Sequence, residues 1–167
     1  MPQWPVAPNY AILVGGLPLF HEYEAYTTIY PGYVVQFTGA DDPALIQPCA
    51  DGGNPVGVAD LAMAYQTGRG SWRKPLCVGG ARDSTKDLPY LAADQVKVIS
   101  GPIIVMLILD QNENIIPGDK LMCAGSGLVK EYYCLTTSDP CALVAEAIEA
   151  VITGAGECAY IMAKLLI

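Results

Sequence analysis

The chain carries one backbone plan written twice. Sliding the 167-residue sequence against itself by 86 residues aligns 9–70 with 95–156 without a gap. A repeat of this length constrains the fold more than any other feature, because whatever one copy builds the other must build as well. Eleven positions are identical: Gly15/Gly101, Ile29/Ile115, Pro31/Pro117, Gly32/Gly118, Gly39/Gly125, Val58/Val144, Ala59/Ala145, Ala64/Ala150, Thr67/Thr153, Gly68/Gly154 and Gly70/Gly156. Six of the eleven are Gly or Pro. Such residues set turns through a positive or a locked φ, so the repeated part is the course of the backbone. Apolar positions follow the same register, Ile12-Leu13 against Val98-Ile99, and Asp60 matches Glu146 after the shared Val-Ala. The repeat divides the chain into an arm (1–8), a first unit (9–80), a connector (81–94) and a second unit (95–167).

Both units read as β structure. Gln95–Ser100 alternates up to the Gly101-Pro102 break, and Ile103–Leu109 is an unbroken β-branched and aliphatic run suited to a buried strand. Tyr30-Pro31-Gly32-Tyr33 and Ile116-Pro117-Gly118-Asp119 place Pro before Gly, the signature of a type II turn. Short strands follow at Val34–Phe37 and Lys120–Cys123, and Gly39 and Gly125-Ser126-Gly127 close the next hairpins. Glu157–Ile167 supplies a last strand. One stretch points elsewhere. Ser138-Asp139-Pro140, then Leu143, Val144, Ala147, Ile148 and Val151 before Gly154, predicts a helix when read alone. Its copy, Asn54-Pro55-Val56-Gly57-Val58-Ala59-Asp60, has a central Gly and alternates as a strand. If the copies share a fold, Val56–Ala59 and Leu143–Glu146 are strands.

Composition narrows the function. Hydrophobic residues make up 52% of the chain and charged residues 16%, which excludes intrinsic disorder and suggests apolar surface covered by other subunits. The longest aliphatic run, Ile103 to Leu109, is far shorter than the ~20 residues of a membrane-spanning helix. Met1-Pro2-Gln3-Trp4-Pro5 lacks the pattern of a signal segment. A soluble, compact protein with no membrane association is expected. The net charge of −8 disfavours a nucleic-acid partner, which needs basic surface to displace counterions. Residues 69–86 are the exception, with Arg69, Arg73, Lys74, Arg82 and Lys86 against Asp83 alone.

The chemical inventory assembles no active site. A hydrolase needs a nucleophile, a base and an orienting group together, and the only histidine is His21, beside Glu22 and Glu24. Gly125-Ser126-Gly127 lacks the spacing of a nucleophile elbow, and Gly68-Arg69-Gly70 lacks the third Gly of a phosphate loop. Acid pairs at Asp41-Asp42 and Glu146/Glu149 are what a chain with 17 acids contains anyway. The six cysteines (49, 77, 123, 134, 141 and 158) include no Cys-x-x-Cys pair, so neither metal nor cofactor is expected. Buried Cys behaves as a small hydrophobe, although Cys134 and Cys141 could pair in an oxidising compartment.

Two segments suit contacts with partners. Arg69-Gly-Ser-Trp72-Arg73-Lys74 joins cations to a Trp, residue types enriched at interface hot spots. The other reading of this segment is a solvated loop whose Trp plugs a small core of its own. The arm carries Pro2, Pro5 and Pro8, so it is neither a helix nor a central strand. An extended arm with Trp4 lying on another subunit is expected. Candidate contact residues are therefore Trp4, Arg69, Trp72, Arg73, Lys74 and Arg82.

Pro117-Gly118-Asp119, Leu121, Gly125, Leu128-Val129, Leu143-Val144-Ala145-Glu146-Ala147 and Gly156 before a terminal apolar strand resemble the capsid cement, or head decoration, proteins of tailed viruses. Val56-Gly57-Val58-Ala59 is similar to another element of that family, so the two halves complement each other as matches. The resemblance implies an all-β chain of two tandem small β-barrel or β-clip-like units. It also implies a homo-oligomer, a trimer above all, that sits on the virion's capsid surface and clamps neighbouring coat proteins. Tandem duplication departs from single-unit members. The alternative is a cellular small-ligand-binding or carrier-like β-barrel, although the lysine turn of a carrier domain is missing.

Overall fold

The computed structural model describes residues 12–39, 45–60, 89–133 and 142–167. Everything described is strand, turn or loop. Among the described residues thirteen strands are formed: β1 Leu13–Gly15, β2 Leu19–Ala25, β3 Val34–Phe37, β4 Leu45–Pro48, β5 Gly57–Ala59, β6 Gln95–Ser100, β7 Ile104–Leu109, β8 Asn114–Ile115, β9 Lys120–Gly125, β10 Leu128–Glu131, β11 Leu143–Ala147, β12 Val151–Ile152 and β13 Ala159–Leu165. No described helix is long and apolar enough to cross a membrane.

The strands close two five-stranded barrels with one pairing plan. In the first, β2, β4, β3, β5 and β6 form a ring. In the second, β7, β10, β9, β11 and β13 do the same, and the β7–β13 pairing completes the circle. β2 runs parallel to β4 and antiparallel to β6; β7 runs parallel to β10 and antiparallel to β13. Every other ladder in both rings is antiparallel. The duplication read from Gly and Pro positions is thus a duplication of topology.

The turn residues act as their chemistry requires. Gly32 and Gly118 take φ of 86° and 97°, which a type II turn demands after Pro. Each turn is closed by an i to i+3 bond, from Tyr33 N–H to Tyr30 C=O (3.0 Å) and from Asp119 N–H to Ile116 C=O (3.1 Å). The Asp119 carboxylate also accepts from the Ile116 amide at 2.9 Å. The segment with helical spacing resolves as strand: Leu143–Ala147 pairs with β9 and β13, and its copy Gly57–Ala59 pairs with β3 and β6. Ladder partners on both edges outweigh a local helical pattern that a five-residue stretch cannot sustain alone.

The sheets trade strands across the sequence repeat. Gln95–Ser100 stands in the second copy by alignment but closes the first barrel, while Leu13–Gly15 of the first copy pairs with β7 at the edge of the second. One apolar cluster therefore runs through both, joining Ile12, Val34, Val58 and Ile99 to Leu107, Leu109, Leu121 and Ile161. A second cluster joins Ile29, Val35, Ile46 and Val98 to Ile108, Leu128 and Cys158. Backbone bonds stitch the same seam, from Val34 N–H to Gly127 C=O (2.9 Å) and from Gly52 N–H to Cys123 C=O (3.2 Å). At Gly127, with φ of 78°, any Cβ would stand 2.7 Å from the Tyr33 ring, so close approach and backbone both require glycine.

Candidate functional site

Among the described residues, β2 opens with an exposed apolar run, and its second edge is paired only at its end. β2 pairs with β6 along Leu19–Glu24, but on its other side β4 reaches only Glu24 and Ala25. Among the described residues, no strand lies against that side of Leu19–Tyr23. In the second barrel the equivalent edge is occupied: β1 meets the start of β7, and the Met106 amide donates to Ile12 C=O at 2.8 Å. Phe20 is the repeat counterpart of Met106. Leu17, Leu19 and Phe20 are 91%, 61% and 52% exposed, an apolar run on a half-open edge. Unpaired strand edges are ready templates for another chain, and proteins that must avoid pairing usually blunt them with charge or proline. Pro18 and the acids Glu22 and Glu24 bracket this edge without covering its apolar middle.

Side chains stiffen the ribbon from both faces. On one face His21 stacks on Tyr23 (ring centroids 6.0 Å apart), and Tyr23 meets the Phe37 ring edge-on at 5.3 Å. On the other face Lys97 Nζ lies 4.3 Å over the Phe20 ring and 3.0 Å from the Asp60 carboxylate. Asp60 is buried, so its charge needs that partner. The Tyr90 hydroxyl donates to Asp60 C=O at 3.0 Å, and burial pushes the Tyr90 phenol well above its ordinary range. It therefore stays a protonated donor. One face of the half-exposed Phe20 ring thus rests against a cation that is itself anchored by Asp60.

The other residues singled out from sequence separate into several roles. His21 lies exposed on β2, with aromatic stacking as its described contact. Glu146 and Glu149 do not form a dyad. Glu146 pairs with Lys120, which holds its carboxyl below the usual range, while Glu149 accepts from the Met162 amide at 2.7 Å. Gly125-Ser126-Gly127 is the β9–β10 hairpin turn. Among the described residues, no group of three His, Cys, Asp or Glu side chains is placed to hold a metal. Trp4, Arg69, Trp72, Arg73, Lys74 and Arg82 lie outside the described residues, as do Asp41-Asp42 and the Cys134 and Cys141 pair. The Leu17–Phe20 run was not among the sequence candidates. Its signal was present in the repeat, since apolar residues without alternation at 17–20 pass directly into His-Glu-Tyr-Glu where the copy continues as Leu-Ile-Leu-Asp.

No protein-family model and no curated protein matches the chain. Among solved structures, the N base of head fiber gp8.5 of bacteriophage phi29 is similar along nearly the whole length. The two are 17% identical with a TM-score of 0.50, over 90% of this chain and 99% of that one. The likeness is one of fold. It spans both barrels, so the neighbour matches the tandem arrangement as well as the single unit.

Proposed function

We propose that this chain is a structural, non-enzymatic component of a phage head. It attaches to the outer capsid surface and stabilises contacts between coat subunits. The observation that carries the reading is the end-to-end fold likeness to a head fiber base, which joins the cement-protein pattern of turns and strands. The half-open, apolar β2 edge supplies a surface for attachment. An extended coat segment would add to Leu19–Tyr23 through main-chain hydrogen bonds, with Leu17, Leu19 and Phe20 providing apolar contact. The basic segment with Arg69, Trp72, Arg73, Lys74 and Arg82, and the arm with Trp4, supply further coat or subunit contacts in a homo-oligomer, with a trimer favoured.

Stabilisation follows from linkage. A ligand that binds only the assembled shell stabilises it by about 2.7 kcal/mol per site at a hundredfold excess over Kd, and a shell offers many sites. The test strips the protein from shells, adds back wild type, Phe20→Glu or Arg73→Glu, and heats each sample. Wild type should raise the opening temperature, and Phe20→Glu should restore little of the rise. Shells that open at one temperature with and without wild type would refute the reading. Full rescue by Phe20→Glu or by Arg73→Glu would remove only the role given to that residue.

A further inference from the structure

Cys49 and Cys123 stand 74 residues apart in sequence and belong to different barrels, yet their Sγ atoms lie 2.7 Å apart. Neither meeting partner is free to drift. Cys49 follows the last residue of β4; its amide donates to Val34 C=O at 2.9 Å, and its own C=O accepts from the Gly127 amide at 3.1 Å. Cys123 lies within β9, paired with Val129 of β10, and its C=O accepts from the Gly52 amide. The Lys130–Asp51 ion pair, 2.8 Å long, closes the same seam from outside. Both thiols are fully buried in the apolar cluster shared by the barrels. Two backbones pinned on both sides thus aim two thiols at each other.

We propose that Cys49 and Cys123 are a disulfide cross-linking site that locks the two barrels together. Both are free thiols here, whereas Cys158 is disulfide-bonded, so the chain also contains an oxidised cysteine. The chemistry needs a small-molecule disulfide such as oxidised glutathione. The thiolate of one cysteine attacks it, breaks its S–S bond and releases one reduced glutathione, which takes up a proton. The thiolate of the second cysteine then attacks the protein sulfur of the mixed disulfide, forming Sγ–Sγ and releasing the second reduced glutathione. Two electrons pass to the glutathione disulfide, and two protons leave the cysteines for the released thiols. In the folded chain the Cys123 thiol is held protonated by its hydrogen bond with Cys49 and by burial, and no oxidant reaches either sulfur. Closure therefore proceeds during folding or through transient opening of the seam. If the chain is a head protein, it would assemble reduced inside a cell and harden once oxidised outside it; that consequence rests on the proposed function, the cross-link itself does not.

The test uses the isolated full chain. Protein is refolded in oxidised or in reduced glutathione, quenched in acid, alkylated under denaturing conditions and mapped by mass spectrometry. The oxidised sample should yield a linked peptide joining Cys49 to Cys123, and its Tm should exceed that of the reduced sample by about 5–15 °C, the range for closing a long loop in a chain of this size. Cys49→Ala and Cys123→Ala should each remove the linked peptide and reduce that shift to whatever the Cys158 disulfide alone provides, and the wild-type comparison stands even if a variant folds poorly. Two alkylated thiols at 49 and 123 after oxidative refolding would overturn the proposal. So would a link from either to Cys158 in their place, or a cross-linked protein that melts no later than the reduced one.

Discussion

β2 and β7 hold the same station in two barrels of one topology, and their surroundings are opposite. From Val105 to Leu109 every β7 residue is buried, on both faces and with partners on both edges. β2 is exposed over its first four residues and reaches the core only at Ala25. The difference traces to one strand. β1 covers the free edge of β7, and no described strand does the same for β2. Among the described residues the two copies thus differ in edge coverage: β7 has partners along both edges, and β2 has them along one edge and at the end of the other. What differs is which edge is covered among the described residues.

The comparison breaks first at equivalent positions. Leu107→Ala, at the centre of β7, should cost about 2–5 kcal/mol in chemical denaturation because it leaves a cavity in the shared core. His21→Ala, its repeat counterpart on β2, should stay within about 0.5 kcal/mol. Comparable losses at both sites would mean that β2 is packed like β7. A smaller contrast lies in the glycines. Gly39→Ala, at φ of 74° with open space around it, should cost about 1–2 kcal/mol through backbone conformation alone. Gly127→Ala adds the Tyr33 clash at the seam and should cost more. Equal losses would show that the seam yields.

The smallest expected effect is a pH dependence in the second barrel. Burial raises the Glu113 carboxyl above its ordinary value, against the hydrogen bond it accepts from the Glu131 amide at 2.9 Å. The folded pKa lies above the unfolded one, so this group's favourable contribution is complete below the unfolded pKa. It is lost as pH rises through the folded pKa. Glu113→Gln keeps an acceptor and removes the charge. It should match wild type at pH values below the ordinary carboxylate range and exceed it at neutral pH, read from denaturation midpoints. A difference that stays constant with pH would exclude this origin.

The sequence exposed the fold through residues with narrow backbone options. Pro31-Gly32 and Pro117-Gly118 can do little but turn, and the 86-residue offset between them carried the duplicated topology. The same logic weighed against the helical spacing at Leu143–Ile148, because its copy around Gly57 alternates as a strand. Exposure was harder to read. Leu17, Leu19 and Phe20 look like core residues in isolation, since hydrophobicity records what a side chain prefers and not whether a neighbouring strand is present to cover it. The partners of β7 depend on β1 arriving from the other copy of the repeat, and no described strand takes that place beside β2. The meeting of Cys49 with Cys123 was hidden for the same reason. Contacts between the barrels are set by packing, and no local pattern encodes them.

Amide hydrogen exchange on the free protein and on protein bound to shells tests the central claim most directly. The account predicts fast exchange at Phe20 and its neighbours on the open side of β2 in the free chain, slow exchange throughout β7, and selective slowing at Leu19–Tyr23 when coat shells are added. Exchange at Leu19–Tyr23 that is unchanged by shells, or already as slow as in β7 before they are added, would contradict it.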